Sequence, residues 1–149
     1  MVAALSGSAT LQMKGTRPMA AQRPRPLSPH LTIWKWGPAM AVSILHRITG
    51  AGLAFLGLAL LTWWLLALAG TGEDYTLFTD VATQWFGKVV LIGLTWAFFQ
   101  HLLSGVRHLM MDSGQAFELG VNKTSAILTI LGSVLLTAAV WAWLLGVLK

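Results

Sequence analysis

Three long stretches of this chain carry no formal charge. No Asp, Glu, Lys or Arg occurs between Arg47 and Glu73, between Lys88 and Arg107, or between Lys123 and Lys149, which leaves gaps of 25, 18 and 25 residues. A helix rising about 1.5 Å per residue needs about 20 apolar residues to cross roughly 30 Å of hydrocarbon, so each gap is long enough or nearly so. The expected fold class is an all-α membrane protein with three transmembrane helices at about 41–69, 86–111 and 125–148. Only 10% of the 149 residues are charged and 56% are apolar, where a soluble domain would carry about a quarter charged residues. Residues 1–40 then read as a tail plus interfacial segment, and residues 41–149 as the three-helix anchor domain.

The charges at the span borders orient it. Lys14, Arg17, Arg23, Arg25 and Lys35 precede the first span, and Arg107 and Lys123 border the second connection. The first connection instead holds Glu73, Asp74 and Asp80, with Lys88 its only nearby base. By the positive-inside rule the N-terminus faces the cytoplasm or matrix and the C-terminus lies outside. Trp34 and Trp36 fall before the first span, and Trp63, Trp64, Trp85, Trp141 and Trp143 at the expected outer ends, as interfacial anchors do. Trp96 sits mid-span and reads as packing against a helix or a cofactor.

Several function classes drop out. The net charge of +5 is spread along membrane edges rather than gathered on a soluble face, which argues against nucleic acid. Without cysteine the chain can form no disulfide, thiolate-held iron–sulfur cluster or c-type haem linkage. No acidic residue falls inside a span and no internal repeat is evident, so a transporter or channel component has poor support. The first 24 residues contain no acid and loosely resemble a transit peptide, but read here as a retained tail. Pro24, Pro26 and Pro29 interrupt helix before the first span, so residues 25–36 should run extended or turning along the inner surface. Residues 113–124 read as a short polar connection.

The chemistry-bearing residues lie toward the inner side. His101 stands inside the charge-free stretch of the second span, where an ionisable ring needs a partner and usually marks a function. Neutral imidazole is a good iron ligand, so a metal or haem iron is the leading candidate, with hydrogen-bonded helix packing the alternative. Gly93, Ala97, His101 and Gly105 follow at steps of four and share one flat helix face, open to a planar macrocycle or to another helix. His108 lies seven residues on, about 10 Å by helical rise, too far to share an iron axially with His101. Arg107, His108 and Asp112 form an expected polar collar for propionates, a quinone or an extrinsic protein, or a solvated helix end.

In the first span Ser43, His46 and Arg47 fall at i, i+3 and i+4 on one face, continued by Gly50, Ala54 and Gly57. A hydroxyl, an imidazole and a guanidinium can bind a quinone carbonyl and stabilise charge developing on it, and arginine also suits a propionate. Snorkelling by Arg47 and helix capping by Ser43 explain the same residues more plainly.

Two stretches resemble a known family, the cytochrome b membrane-anchor subunit of succinate dehydrogenase, respiratory complex II. The first is Arg25-Pro26-Leu27, Leu31, Pro38 and Ser43-Ile44-Leu45-His46-Arg47-Ile48-Thr49. The second is His101, Gly105-Val106-Arg107-His108-Leu109, Met111-Asp112 and Gly114. The resemblance implies a haem b shared with a second small anchor subunit, His101 being one axial ligand to the haem iron and the partner supplying the other. It implies Ser43 and Arg47 at a ubiquinone site, His46, Arg47 and His108 in the propionate neighbourhood, and no catalytic residue for succinate oxidation in this chain. Iron–sulfur and flavoprotein subunits would complete the enzyme, which feeds electrons from the tricarboxylic acid cycle into electron transport. The membrane would be the bacterial cytoplasmic one, alternatively the mitochondrial inner one. A haem-free anchor of a related fumarate-reducing or succinate-oxidising enzyme is the second reading.

Overall fold

A computed structural model of the protein describes residues 35–115 and 117–146. The expected tail and interfacial segment up to Trp34, and the last residues of the third span, lie outside the described residues.

The described chain is all helix and turn. Gly37, in extended conformation, precedes α1 (Pro38–Gly52), and Pro38 in the first turn costs no backbone hydrogen bond. A π-helical turn, Leu53–Gly57, joins α1 to α2 (Leu58–Ala69) without a break, Leu58 N–H bonding back five residues to Leu53 O. The first span is therefore one helix of 32 residues, Pro38–Ala69. α4 (Trp85–Asp112) and α5 (Leu119–Leu144) supply the second and third spans, of 28 and 26 residues. Gly114 (φ 85°) and Gly146 (φ 77°) take the left-handed conformation just past α4 and α5, where a side chain would be strained.

Two expectations change. The first connection is not a plain loop, because Gly72–Thr83 forms a helix, α3. A capping box starts it: Thr71 Oγ1 accepts from Asp74 N–H, while the Asp74 carboxylate accepts from Thr71 N–H at 2.7 Å and from the Thr71 hydroxyl at 2.8 Å. Glu73 and Asp74 in its first turn favour the helix dipole. The third span begins at Leu119 instead of near 125, absorbing half of the polar connection into its first turns, and α5 ends at Leu144.

Successive spans run antiparallel, as cross-helix contacts show. His46 meets Ser104 and Gly57 faces Leu94, while Arg107 meets Asn122 and Thr95 meets Trp141. Burial runs opposite to that of a soluble protein. Among the described residues the buried apolar side chains are Val42, Ala67, Ala97 and Ala126, all small, whereas Thr49, Gln100, Ser104, Arg107, Thr129, Ser133 and Thr137 are buried and polar. Phe55, Leu109 and Leu135 are more than two-thirds exposed. Lipid tails are as apolar as leucine, so large side chains can face outward while small and hydrogen-bonding ones let helices approach. The buried hydroxyls are satisfied within their own helices, Thr49 on Leu45 O at 2.7 Å, Thr129 on Ser125 O at 2.9 Å and Thr137 on Ser133 O at 2.7 Å.

Candidate haem and quinone site

α1 and α4 cross where Thr49, Gly50, His101 and Ser104 meet. His101 rests over Gly50 and its Nδ1 lies 3.1 Å from the carbonyl oxygen of His46. A carbonyl only accepts, so Nδ1 carries the proton and donates it. The other ring nitrogen, Nε2, then keeps its lone pair, the state a metal-binding imidazole requires. Thr49 Oγ1, 3.5 Å from the same Nδ1, backs the ring.

His46 is fixed by the same logic. The Ser104 hydroxyl donates to Gln100 O at 2.6 Å, so Ser104 Oγ accepts from His46 Nδ1–H at 2.7 Å. The two imidazoles stack with centroids 4.0 Å apart and planes within 7°. His108 meets the His46 ring edge-on at 5.0 Å.

This geometry limits the metal chemistry. Two axial ligands must point their nitrogens at one iron from opposite sides, and rings stacked face to face cannot do so. Among the described residues no three His, Asp or Glu side chains are grouped to hold an ion. What the arrangement fits is one ligand nitrogen, His101 Nε2, offered to an iron already held by a macrocycle and needing a second ligand from elsewhere.

The other expected site residues fall into two groups. His46, His101 and His108 are brought together, all half-buried. Ser43 is half-buried and Arg47 exposed, and neither makes a side-chain hydrogen bond to a described residue, which leaves their donors available at the bundle surface. The collar of Arg107, His108 and Asp112 does not form. Arg107 is 5% exposed and points to α5, where Nε donates to Ser125 Oγ at 3.1 Å and Nη2 to Asn122 Oδ1 at 2.7 Å. Adjacent helical residues point about 100° apart, so His108 faces α1 while Arg107 faces α5. Asp112 is exposed.

Nor does the flat face of α4 stay open. Ala97 is buried, and a side chain at Gly105 would come within 3.9 Å of His46, so α1 covers much of that row. The expected seam Gly50–Ala54–Gly57 is interrupted, since Ala54, inside the π turn, is exposed. Trp141 is half-buried, its indole N–H on Thr95 Oγ1 at 3.3 Å, and so is a packing residue rather than a lipid anchor. Ser104 and Thr49 were missed as site residues. Ser104 stands three residues after His101 and four before His108, a spacing that put it on the histidine face.

Together these features define a three-span helical membrane anchor whose first two spans cross at a cluster of histidines. The chain belongs to the succinate dehydrogenase/fumarate reductase transmembrane subunit family, whose profile matches residues 21–140. It is 40% identical over 112 residues to the succinate dehydrogenase cytochrome b556 subunit of Paracoccus denitrificans, covering 75% of this chain and 85% of that one. The cytochrome b556 subunit of Rickettsia conorii is 37% identical over 117 residues, 78% of this chain and 90% of that one. The human mitochondrial cytochrome b560 subunit is 36% identical over 115 residues, 74% and 66% respectively. The chain is thus an accessory, membrane-anchoring subunit of succinate dehydrogenase and not its succinate-oxidising part.

Proposed function

We propose that this chain binds haem b through His101 and forms part of the site where succinate dehydrogenase reduces ubiquinone. The observation that carries the reading is the His101 Nδ1–H···O=C bond to His46, which leaves Nε2 as a free ligand nitrogen inside an apolar span. Bound haem b supplies a one-electron redox centre that also ties subunits together. His101 would hold the haem iron through Nε2, and a second small anchor subunit would supply the other ligand. His108, edge-on to the His46 ring, and the exposed Arg47 would provide N–H donors for propionate carboxylates, with His46 beside them.

Toward the quinone, Ser43 and Arg47 act as donors one turn apart. A hydroxyl and a guanidinium aimed at a quinone carbonyl stabilise the negative charge that develops there as electrons arrive from the iron–sulfur subunit. Quinol formation also takes up two protons, which the polar inner boundary admits. The flavoprotein subunit oxidises succinate. The N-terminus faces the cytoplasm or matrix, in keeping with the basic residues that precede the first span. The membrane is the bacterial cytoplasmic membrane or its mitochondrial counterpart, since the relatives come from both.

The test is His101→Ala in the membrane complex. Loss of the haem b absorption with all subunits still co-purifying is expected; an unchanged spectrum would refute the reading.

A further inference from the structure

The geometry points to Gly50 as a positioning residue for the haem ligand: with no side chain at this point of α1, the His101 ring can lie against the helix backbone and donate Nδ1–H to His46 O. This rests on the proposed role of His101. A Cβ added at Gly50 would fall 2.8 Å from His101 Cε1, 3.2 Å from Nδ1 and 3.8 Å from Nε2. Carbon atoms rarely approach so closely, and the three nearest atoms all belong to that one ring.

The crowding follows from helix stereochemistry. In an α-helix the carbonyl of residue i accepts from the N–H of residue i+4, so the carbonyl of His46 already faces the amide of Gly50. An outside donor to that oxygen must come in alongside residue 50, where any other residue would place its Cβ. His101 also cannot swing aside freely. His46 stacks on it at 4.0 Å, and Ser104 Oγ, 2.7 Å from Nδ1, pins His46. A methyl group at Gly50 therefore tilts the ring, breaks the bond to His46 O and releases the tautomer that keeps Nε2 unprotonated. Removing such an outer partner of a ligating histidine typically lowers metal affinity about 10- to 100-fold.

Glycines away from this contact serve as controls. Gly52 and Gly120 meet nothing within 4 Å of an added Cβ, so alanine there adds the same methyl group without touching His101.

The complex would be purified in mild detergent carrying Gly50→Ala, Gly50→Val, Gly52→Ala, Gly120→Ala or His101→Ala. Haem per complex, the haem electron paramagnetic resonance signal and the haem reduction potential would be measured with subunit composition. Gly50→Ala should assemble, hold haem about 10-fold more weakly and shift both signal and potential, and Gly50→Val should lose haem. The control variants should match wild type. Wild-type haem properties in both Gly50 variants, with haem lost in His101→Ala, would overturn the positioning role and leave the ligand reading standing. Haem retained in His101→Ala would overturn the ligand reading itself. A double-mutant cycle decides the case even if Gly50→Ala assembles poorly. In a His101→Ala background the methyl meets no ring, so the assembly and thermal stability of the doubly substituted complex should equal those of His101→Ala alone. A persisting penalty would show that the methyl collides with something else and would overturn the proposal.

Discussion

Ser104 illustrates how one hydroxyl can organise a site it does not occupy. It is fully buried, donates to Gln100 O one turn back and accepts from His46 Nδ1, so His46 has one orientation and His101 stacks on a fixed plane. Ser104→Ala leaves that imidazole N–H without its acceptor. The cost should be about 1 kcal/mol of bundle stability, in the range measured for hydrogen bonds between membrane helices. Nitrogen chemical shifts of the His46 ring should then show a mixture of tautomers. A single unchanged tautomer would mean that Ser104 does not set the ring. Gln100 beside it is less completely served. Its Oε1 lies 2.7 Å from Ser133 Oγ, but Nε2 is buried with no partner among the described residues.

At the scale of elements, α3 depends on charge and on a missing side chain. Hydrogen bonds from the Thr71 backbone N–H and then its hydroxyl hold the Asp74 carboxyl below its ordinary value. The ionised form is therefore favoured in the folded helix. Its contribution is complete above the usual aspartate range and disappears as the pH falls through the lowered folded value. Protection of the Gly72–Tyr75 amides, measured as exchange relative to the intrinsic rate at each pH, should fall over that acid range and, in Asp74→Asn, should not change with pH there. A flat profile in the unsubstituted chain would contradict this account. After α3 the chain reverses so tightly that a Cβ at Gly87 would overlap the carbonyl oxygen of Val81 and come within 2.6 Å of that of Ala82. In the first span Gly50 and Gly57 both lie toward α4, while Ala54, inside the π turn between them, is exposed.

For the whole molecule, polar pins rather than apolar burial set how the spans pack. Arg107 with Asn122 and Ser125, Gln100 with Ser133, and Thr95 with Trp141 join α4 to α5 from one end to the other. Hydrocarbon offers no competing water, and large residues gain nothing by turning inward. Arg107→Ala removes two of these bonds and should destabilise the bundle by about 1–3 kcal/mol, measured by unfolding in mixed micelles. Arg107→Lys should recover only part of this, since an ammonium lacks the fork that spans Asn122 and Ser125. Full recovery by lysine would mean that charge, not geometry, holds α5.

How much of this was legible in the chain differs by feature. The three spans were, because avoidance of charge in hydrocarbon is a one-dimensional constraint that leaves its mark residue by residue. The capping box before α3 was also written in Thr71 and Asp74, yet a count of charges passes over it. His101 stood out because an imidazole at that depth is costly without a partner. Tertiary structure alone decided that Arg107 turns to α5 while His108 turns to α1, that Ala54 leaves the small-residue seam, and that Gly50 lies beneath the His101 ring. Each of these depends on which neighbouring helix a given face meets and at what height, and no periodicity within one helix encodes that distance.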